Sequence, residues 1–145
     1  MIHAERWEDN VGLIAPAGAV RAEVAWRPKG RRALRSELSG LPTSTPVVLL
    51  SRGPAGGRRC RALAQNAGIQ VEREYLAFPS GRAPAYLVED APAAWRYFVR
   101  TVLATPPGMR LPSLVDAAVR VARGTSRWPS VRALSPGRVV VGRRV

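Results

Sequence analysis

The chain is 145 residues long, enough for one domain with its own core and too short for two ordinary ones. A hydrophobic fraction of 46% argues against disorder, and no apolar run approaches the roughly 18–20 residues that span a bilayer. The formal net charge of +13 directs attention to anionic partners: phosphate backbones, anionic lipids or acidic proteins.

Single residues set further limits. Cys60 is the only cysteine and His3 the only histidine, so neither an internal disulfide nor a His- or Cys-based metal site is expected. The first residues, MIHAERWEDN, lack the basic-then-apolar pattern of a signal peptide, and a cytoplasmic location is the expectation. Lys29 is the only lysine among 23 basic residues. Such a bias fits a GC-rich coding sequence as well as a polyanionic partner, and the arginines are spread along the chain rather than gathered in a tail.

In chain order, Val11 to Ala15 is a short apolar run closed by Pro16–Gly18, and Val20, Ala22, Val24 and Trp26 then alternate with more polar neighbours. Period-two alternation predicts a half-buried strand, and the two runs together predict a β-hairpin or a strand pair at a sheet edge. Lys29 to Gly40 predicts a helix with Ala33, Leu34 and Leu38 on one face. Pro46 to Ser51 is apolar on both faces, as a central strand covered by helices would be. A glycine-rich turn follows, then a helix with Cys60, Leu63, Ala64 and Ala67 as its buried stripe and Gly68 as its stop. Ile69 to Phe78 and Ala85 to Val88 read as two strands joined at the turn PSGR, with Tyr75 and Tyr86 facing each other across them. Asp90 is placed to cap a helix that has Pro92 in its first turn and Trp95, Phe98, Val99, Val102 and Leu103 as its apolar stripe. TPPG breaks that helix. A second one presents Leu114, Val115, Ala118, Val121 and Ala122 and ends at Gly124, and Arg138 to Arg144 predicts a short last strand.

The candidate site is the turn after the Pro46–Ser51 strand: Gly53, Gly56 and Gly57, followed by Arg58 and Arg59. Unpaired N–H groups at a helix start suit an anion, ligands of open α/β sheets sit beyond the carboxyl ends of strands, and arginine binds phosphate bidentately. The turn lacks the lysine and hydroxyl of a P-loop and the spacing of a dinucleotide fingerprint. Three glycines can equally serve a bend. Glu89 and Asp90 end a strand where catalytic acids often sit, with solvent exposure and helix capping as their plainer roles. Cys60 reads as a small buried hydrophobe. Exposed tryptophans among Trp7, Trp26 and Trp128 would suit single-stranded nucleic acid or a membrane surface.

The segment Arg31 to Asp90 resembles the C-terminal half of a class I S-adenosylmethionine-dependent methyltransferase. A helix precedes the strand PVVLLSR; the helix GGRRCRALAQNAG follows with an AGI ending; and QVEREYLAF and PAYLVE finish the sheet as an antiparallel hairpin. The family binds its cofactor at a glycine-rich turn after its first strand and at an acidic residue ending the second, and neither has a counterpart upstream of Val11. S-adenosylmethionine is thus implied by the resemblance alone, and no cofactor-binding residue carries over.

Together these features predict an α/β fold: a Rossmann-like, mostly parallel sheet with an antiparallel hairpin and an added helical pair. Residues 1–145 form one domain, with the sheet-forming core in 1–90 and a helical extension with a final short strand in 91–145. The first functional expectation is a methyltransferase-like domain, non-catalytic alone or acting with a protein partner or a second copy in glycan or secondary-metabolite biosynthesis. The alternatives are a module for a phosphorylated small molecule or nucleotide, using the Gly53–Arg59 turn, and a basic nucleic-acid-binding protein.

Overall fold

The structure, a computed structural model, describes residues 10–79, 84–102, 112–125 and 128–145. His3, Trp7, most of the PSGR turn and the TPPG break lie outside these residues. Strand β1 (Val20–Glu23) half-buries Val20 and Ala22 and exposes Arg21 and Glu23, as its alternation requires. Pro28 opens helix α1 (Pro28–Ser39), and Gly40 ends it. Strand β2 (Pro46–Arg52) then runs parallel to β1, with Val20 opposite Val47. Helix α2 (Gly56–Ala67) stops at Gly68, whose φ of +67° is one that glycine adopts without strain. Strands β3 (Ile69–Phe78) and β4 (Tyr86–Glu89) pair antiparallel. Helix α3 (Pro92–Tyr97) continues into a π-helical turn (Phe98–Val102), followed by α4 (Pro112–Gly124), the single turn α5 (Pro129–Arg132) and strand β5 (Gly137–Arg144).

The sheet has five strands in the order β1-β2-β5-β3-β4. Strand β5 pairs antiparallel with both β2 and β3, so β1, β2 and β3 point the same way with β5 inserted between the last two. The α/β class, the hairpin and the helices after Asp90 are as the sequence predicts. Three strands share one direction, yet among the described residues β1–β2 is the one directly parallel pairing, because β5 separates β2 from β3, so the sheet is mixed and mostly antiparallel rather than mostly parallel. The middle of the sheet is therefore β5 and not Val47 to Leu50, and the final strand belongs to the core rather than to an extension. Its Val139, Val140 and Val141 are at most 3% exposed, and burying side chains of this kind stabilises by about 1.5–3 kcal/mol each.

One face of the sheet carries α1 and α2: Leu38, Cys60, Leu63, Ala64 and Ala67 pack on Val47, Leu49, Ile69 and Val140. Towards β4, Trp95, Phe98 and Val99 cover Leu76 and Val88. On the opposite face, Val11, Ile14 and Ala15 pack with Val48, Val139 and Val141. Residues 10–14 are helical rather than extended, so the expected strand pair at this edge does not form. Val11 and Ile14, three apart, lie on one side of that turn and dock on the sheet. Across the hairpin Tyr86 stands opposite Phe78, and Tyr75 opposite Glu89, so the two tyrosines do not face each other. On α4, Val119 is buried and Ala122 packs beside the Trp95–Phe98 cluster, while Leu114 and Val121 of the predicted apolar side are more than 60% exposed. No helix among the described residues is long and apolar enough to cross a membrane.

Candidate anion-binding groove

The glycine turn is built for close packing. Gly53 takes a φ of +74° and Ala55 one of 60°, which bends the chain from β2 into α2. The Gly53 N–H donates to the Pro136 carbonyl at 2.7 Å and the Ala55 N–H to the Ala133 carbonyl at 3.3 Å, so both amides face the segment that leads into β5. A Cβ on Gly56 would collide with the Ser51 hydroxyl, and one on Gly57 would lie 3.4 Å from the Arg138 guanidinium. These two glycines let the first turn of α2 settle onto the sheet over Ser51 and Arg138.

The two arginines of the turn do different work. Arg59 donates to the Arg52 carbonyl at 2.6 Å and to the Pro54 carbonyl at 3.0 Å, closing the turn from outside. Its guanidinium carbon lies 4.2 Å from the centroid of the Trp26 ring. Arg58, one position earlier, is exposed and has no hydrogen bond or ion pair among the described residues.

Arg58 faces a groove of about 360 Å3 between α1 and α2. Arg31, Arg32 and Arg35 line it from α1, Arg58 and Arg59 from α2, and the lining contains no carboxylate. A helical repeat explains the convergence: Arg31 and Arg35 share one face of α1, as Arg58, Ala62 and Asn66 share one face of α2. Arg31 donates to the Trp26 carbonyl at 2.6 Å and so secures the entry into α1. Arg32 and Arg35, like Arg58, are exposed and unpaired among the described residues. Neither helix has an acidic residue in its first turn or a side-chain cap at its N-terminus, so the positive helix ends stay uncompensated. A like-charge pair four residues apart costs a helix about 0.2–0.5 kcal/mol, and here no neighbouring carboxylate relieves Arg31 and Arg35. Chemically the groove holds cations and bidentate donors but no nucleophile and no general base. It is equipped to bind an anion.

Asp90 has a different place from the one predicted. The N-cap of α3 is Ala91, and no side chain caps that helix. The Asp90 carboxylate pairs instead with Arg138 and, at 2.7 Å, with Arg132. Two guanidinium groups hold an anion more strongly than one backbone N–H does. Arg138 is only 5% exposed, also donates to the Arg132 carbonyl at 2.9 Å, and approaches Glu74 within 3.9 Å. Glu74 is paired in turn with Arg61 at 2.7 Å. This network ties β3, β5, α5 and the end of β4 together. Glu89, by contrast, is exposed.

Cys60 is fully buried beneath α2 beside Ser51. Burial pushes its thiol up to about 11, outweighing the lowering influence of Ser51, Arg59 and Arg138, so it is not a thiolate at neutral pH. Among the described residues no three His, Cys, Asp or Glu side chains come together as metal ligands.

The predicted site residues thus divide. Gly53, Gly56, Gly57 and Arg59 shape the turn, Arg58 reaches the groove, and Asp90 joins the ion network. Sequence reasoning missed Arg31, Arg32 and Arg35, although their i, i+1, i+4 spacing on a predicted helix was the available signal. Compared with known proteins, the chain matches no family model, no curated protein and no solved structure.

Proposed function

We propose that the chain is a binding module for phosphate-bearing ligands and that the groove between α1 and α2 is its site. The observation behind this is the meeting of Arg32, Arg35 and Arg58, all exposed and unpaired, in a groove without a carboxylate. The site is centred on the helices, one step outward from the Gly53–Arg59 turn. Only its near end, at Pro28, Arg58 and Arg59, adjoins the helix starts that follow the two parallel strands, the region where α/β sheets commonly take ligands.

The test is calorimetric titration with inorganic tripolyphosphate at low and at physiological salt. Each lost guanidinium–phosphate contact is worth about 1.5–3 kcal/mol, and 1.4 kcal/mol is tenfold. The triple variant R32A/R35A/R58A should weaken binding by at least about tenfold with an unchanged melting temperature. A control variant, R21A/R100A/R120A, removes the same charge elsewhere from exposed positions and should retain most of the affinity. Equal losses in both variants would mean that net charge alone attracts the anion, and the groove would lose its standing as a site.

A second reading is a methyltransferase-like domain that works with a partner. It draws on the succession β2, α2, β3 and the antiparallel strands that complete the sheet, the pattern behind the family resemblance. On this reading the chain alone gives no binding heat with S-adenosylmethionine in the same calorimeter, and measurable affinity would overturn the non-catalytic role.

A further inference from the structure

Beside the groove stands the aromatic ring of Trp26. Trp26 is 65% exposed, although tryptophan gains more from burial than almost any other residue. The ring is nevertheless held in place. Arg59 lies over it, with the guanidinium carbon 4.2 Å from the ring centroid, and is itself pinned by the Arg52 and Pro54 carbonyls. The Trp26 carbonyl accepts from Arg31, and Gly53 lies against the ring edge, where a Cβ would be 3.8 Å from the nearest ring carbon. Arg31 and Arg59 both also line the groove, so the ring and the unpaired guanidinium groups share two residues as a common frame.

A flat, fixed ring next to converging guanidinium groups matches a ligand that joins an aromatic base to phosphate. We infer that Trp26 is the stacking surface for a nucleobase whose phosphates sit among Arg32, Arg35 and Arg58. This rests on the phosphate-binding reading and adds the base. The ligand class is a nucleotide unit, supplied either as a free nucleotide or as part of a single strand. The second source suits the open groove and the charge of +13, because stacking on tryptophan beside a basic track is how single strands are held without regard to sequence.

The experiment measures binding of ATP, of a short oligothymidylate and of base-free tripolyphosphate to the full chain, with Trp26→Leu and Trp26→Phe variants alongside. Leucine keeps apolar bulk under Arg59 but has no π face, whereas phenylalanine keeps a ring. If Trp26 stacks a base, ATP or the oligonucleotide binds more tightly than tripolyphosphate. Trp26→Leu then loses about fivefold to a hundredfold for the base-bearing ligand, and Trp26→Phe recovers most of it. Tripolyphosphate binding stays unchanged in both variants. Preference for ATP identifies a free nucleotide as the ligand, and preference for the oligonucleotide, with a steep fall in affinity as salt rises, identifies a single strand. Equal affinity for base-bearing and base-free ligands, or a Trp26→Leu variant that binds like the parent, overturns the stacking role and leaves the phosphate site standing. Failure of all three ligands to bind overturns both.

Discussion

Asp90 and Arg138 form a pair whose members are unequal in their need for each other. Arg138 is 5% exposed, so removing Asp90 leaves a charge that water barely reaches with only the more distant Glu74 carboxylate, at 3.9 Å, to balance it. Breaking a pair of this kind typically costs about 3–5 kcal/mol, whereas replacing both partners by apolar residues of similar volume is often nearly neutral. Asp90→Ala should lower the urea midpoint by a corresponding amount without changing the slope, and Asp90→Ala/Arg138→Met should recover much of the loss. Cys60 gives a test in pH. Its folded value of about 11 lies above the ordinary 9.0, so the unfolded chain releases the thiol proton first as pH rises. Its contribution to stability is complete below pH 9 and disappears between pH 9 and about 11, on the order of 2–3 kcal/mol in all. Cys60→Ala should flatten the fall in stability over that window, as read by urea unfolding at each pH. In the native chain the thiol should resist alkylation at pH 8 and react on unfolding.

Among the secondary-structure elements, α2 shows how a small residue fixes a packing distance. Gly56→Ala would press its methyl group into the Ser51 hydroxyl, and overpacking of this kind costs typically about 1–3 kcal/mol. Adding Ser51→Ala removes the colliding oxygen, so the double variant should regain part of the lost melting temperature. Purely additive losses would show that the two positions do not press on each other. This helix was also the most legible part of the sequence: Cys60, Leu63, Ala64 and Ala67 repeat at helical spacing, and all are buried. Strand β3 was legible over its full extent, Ile69 to Phe78, although the register shifts at Glu72, between Val71 and Arg73, as at a bulge. That shift lies next to Gly142, where a Cβ would run into the Gln70 carbonyl; a glycine within an apolar strand was its visible trace. The run Val11 to Ala15 was misread because five apolar and small residues fit a strand and a helical turn equally well. The ion network was beyond reach, since Asp90 and Arg138 lie 48 positions apart and only the sheet order brings them together. The groove was half legible. Its arginines are plain in the sequence, but that α1 and α2 lie side by side follows from the parallel pairing of β1 and β2.

At the scale of the whole molecule, the positive charge is unevenly engaged. Arg52, Arg61, Arg132, Arg138 and Arg143 have carboxylate partners, and none of these five lines the groove. Five further arginines line the groove between α1 and α2, while others without a carboxylate partner among the described residues, Arg21, Arg100 and Arg120 included, lie elsewhere on the surface. The same sheet order has a consequence for how the protein is made. Strand β5 follows the other four described strands in the chain and pairs with both β2 and β3, so in a growing chain β2 and β3 lack their common partner until residues 137–144 have left the ribosome. Unpaired strand edges recruit other strands, and long-range pairing forms slowly. The nascent chain thus passes through an interval in which its own central gap is open to a neighbouring copy, and a helper that shields those edges during translation would act on this protein more than on one whose middle strand is made first.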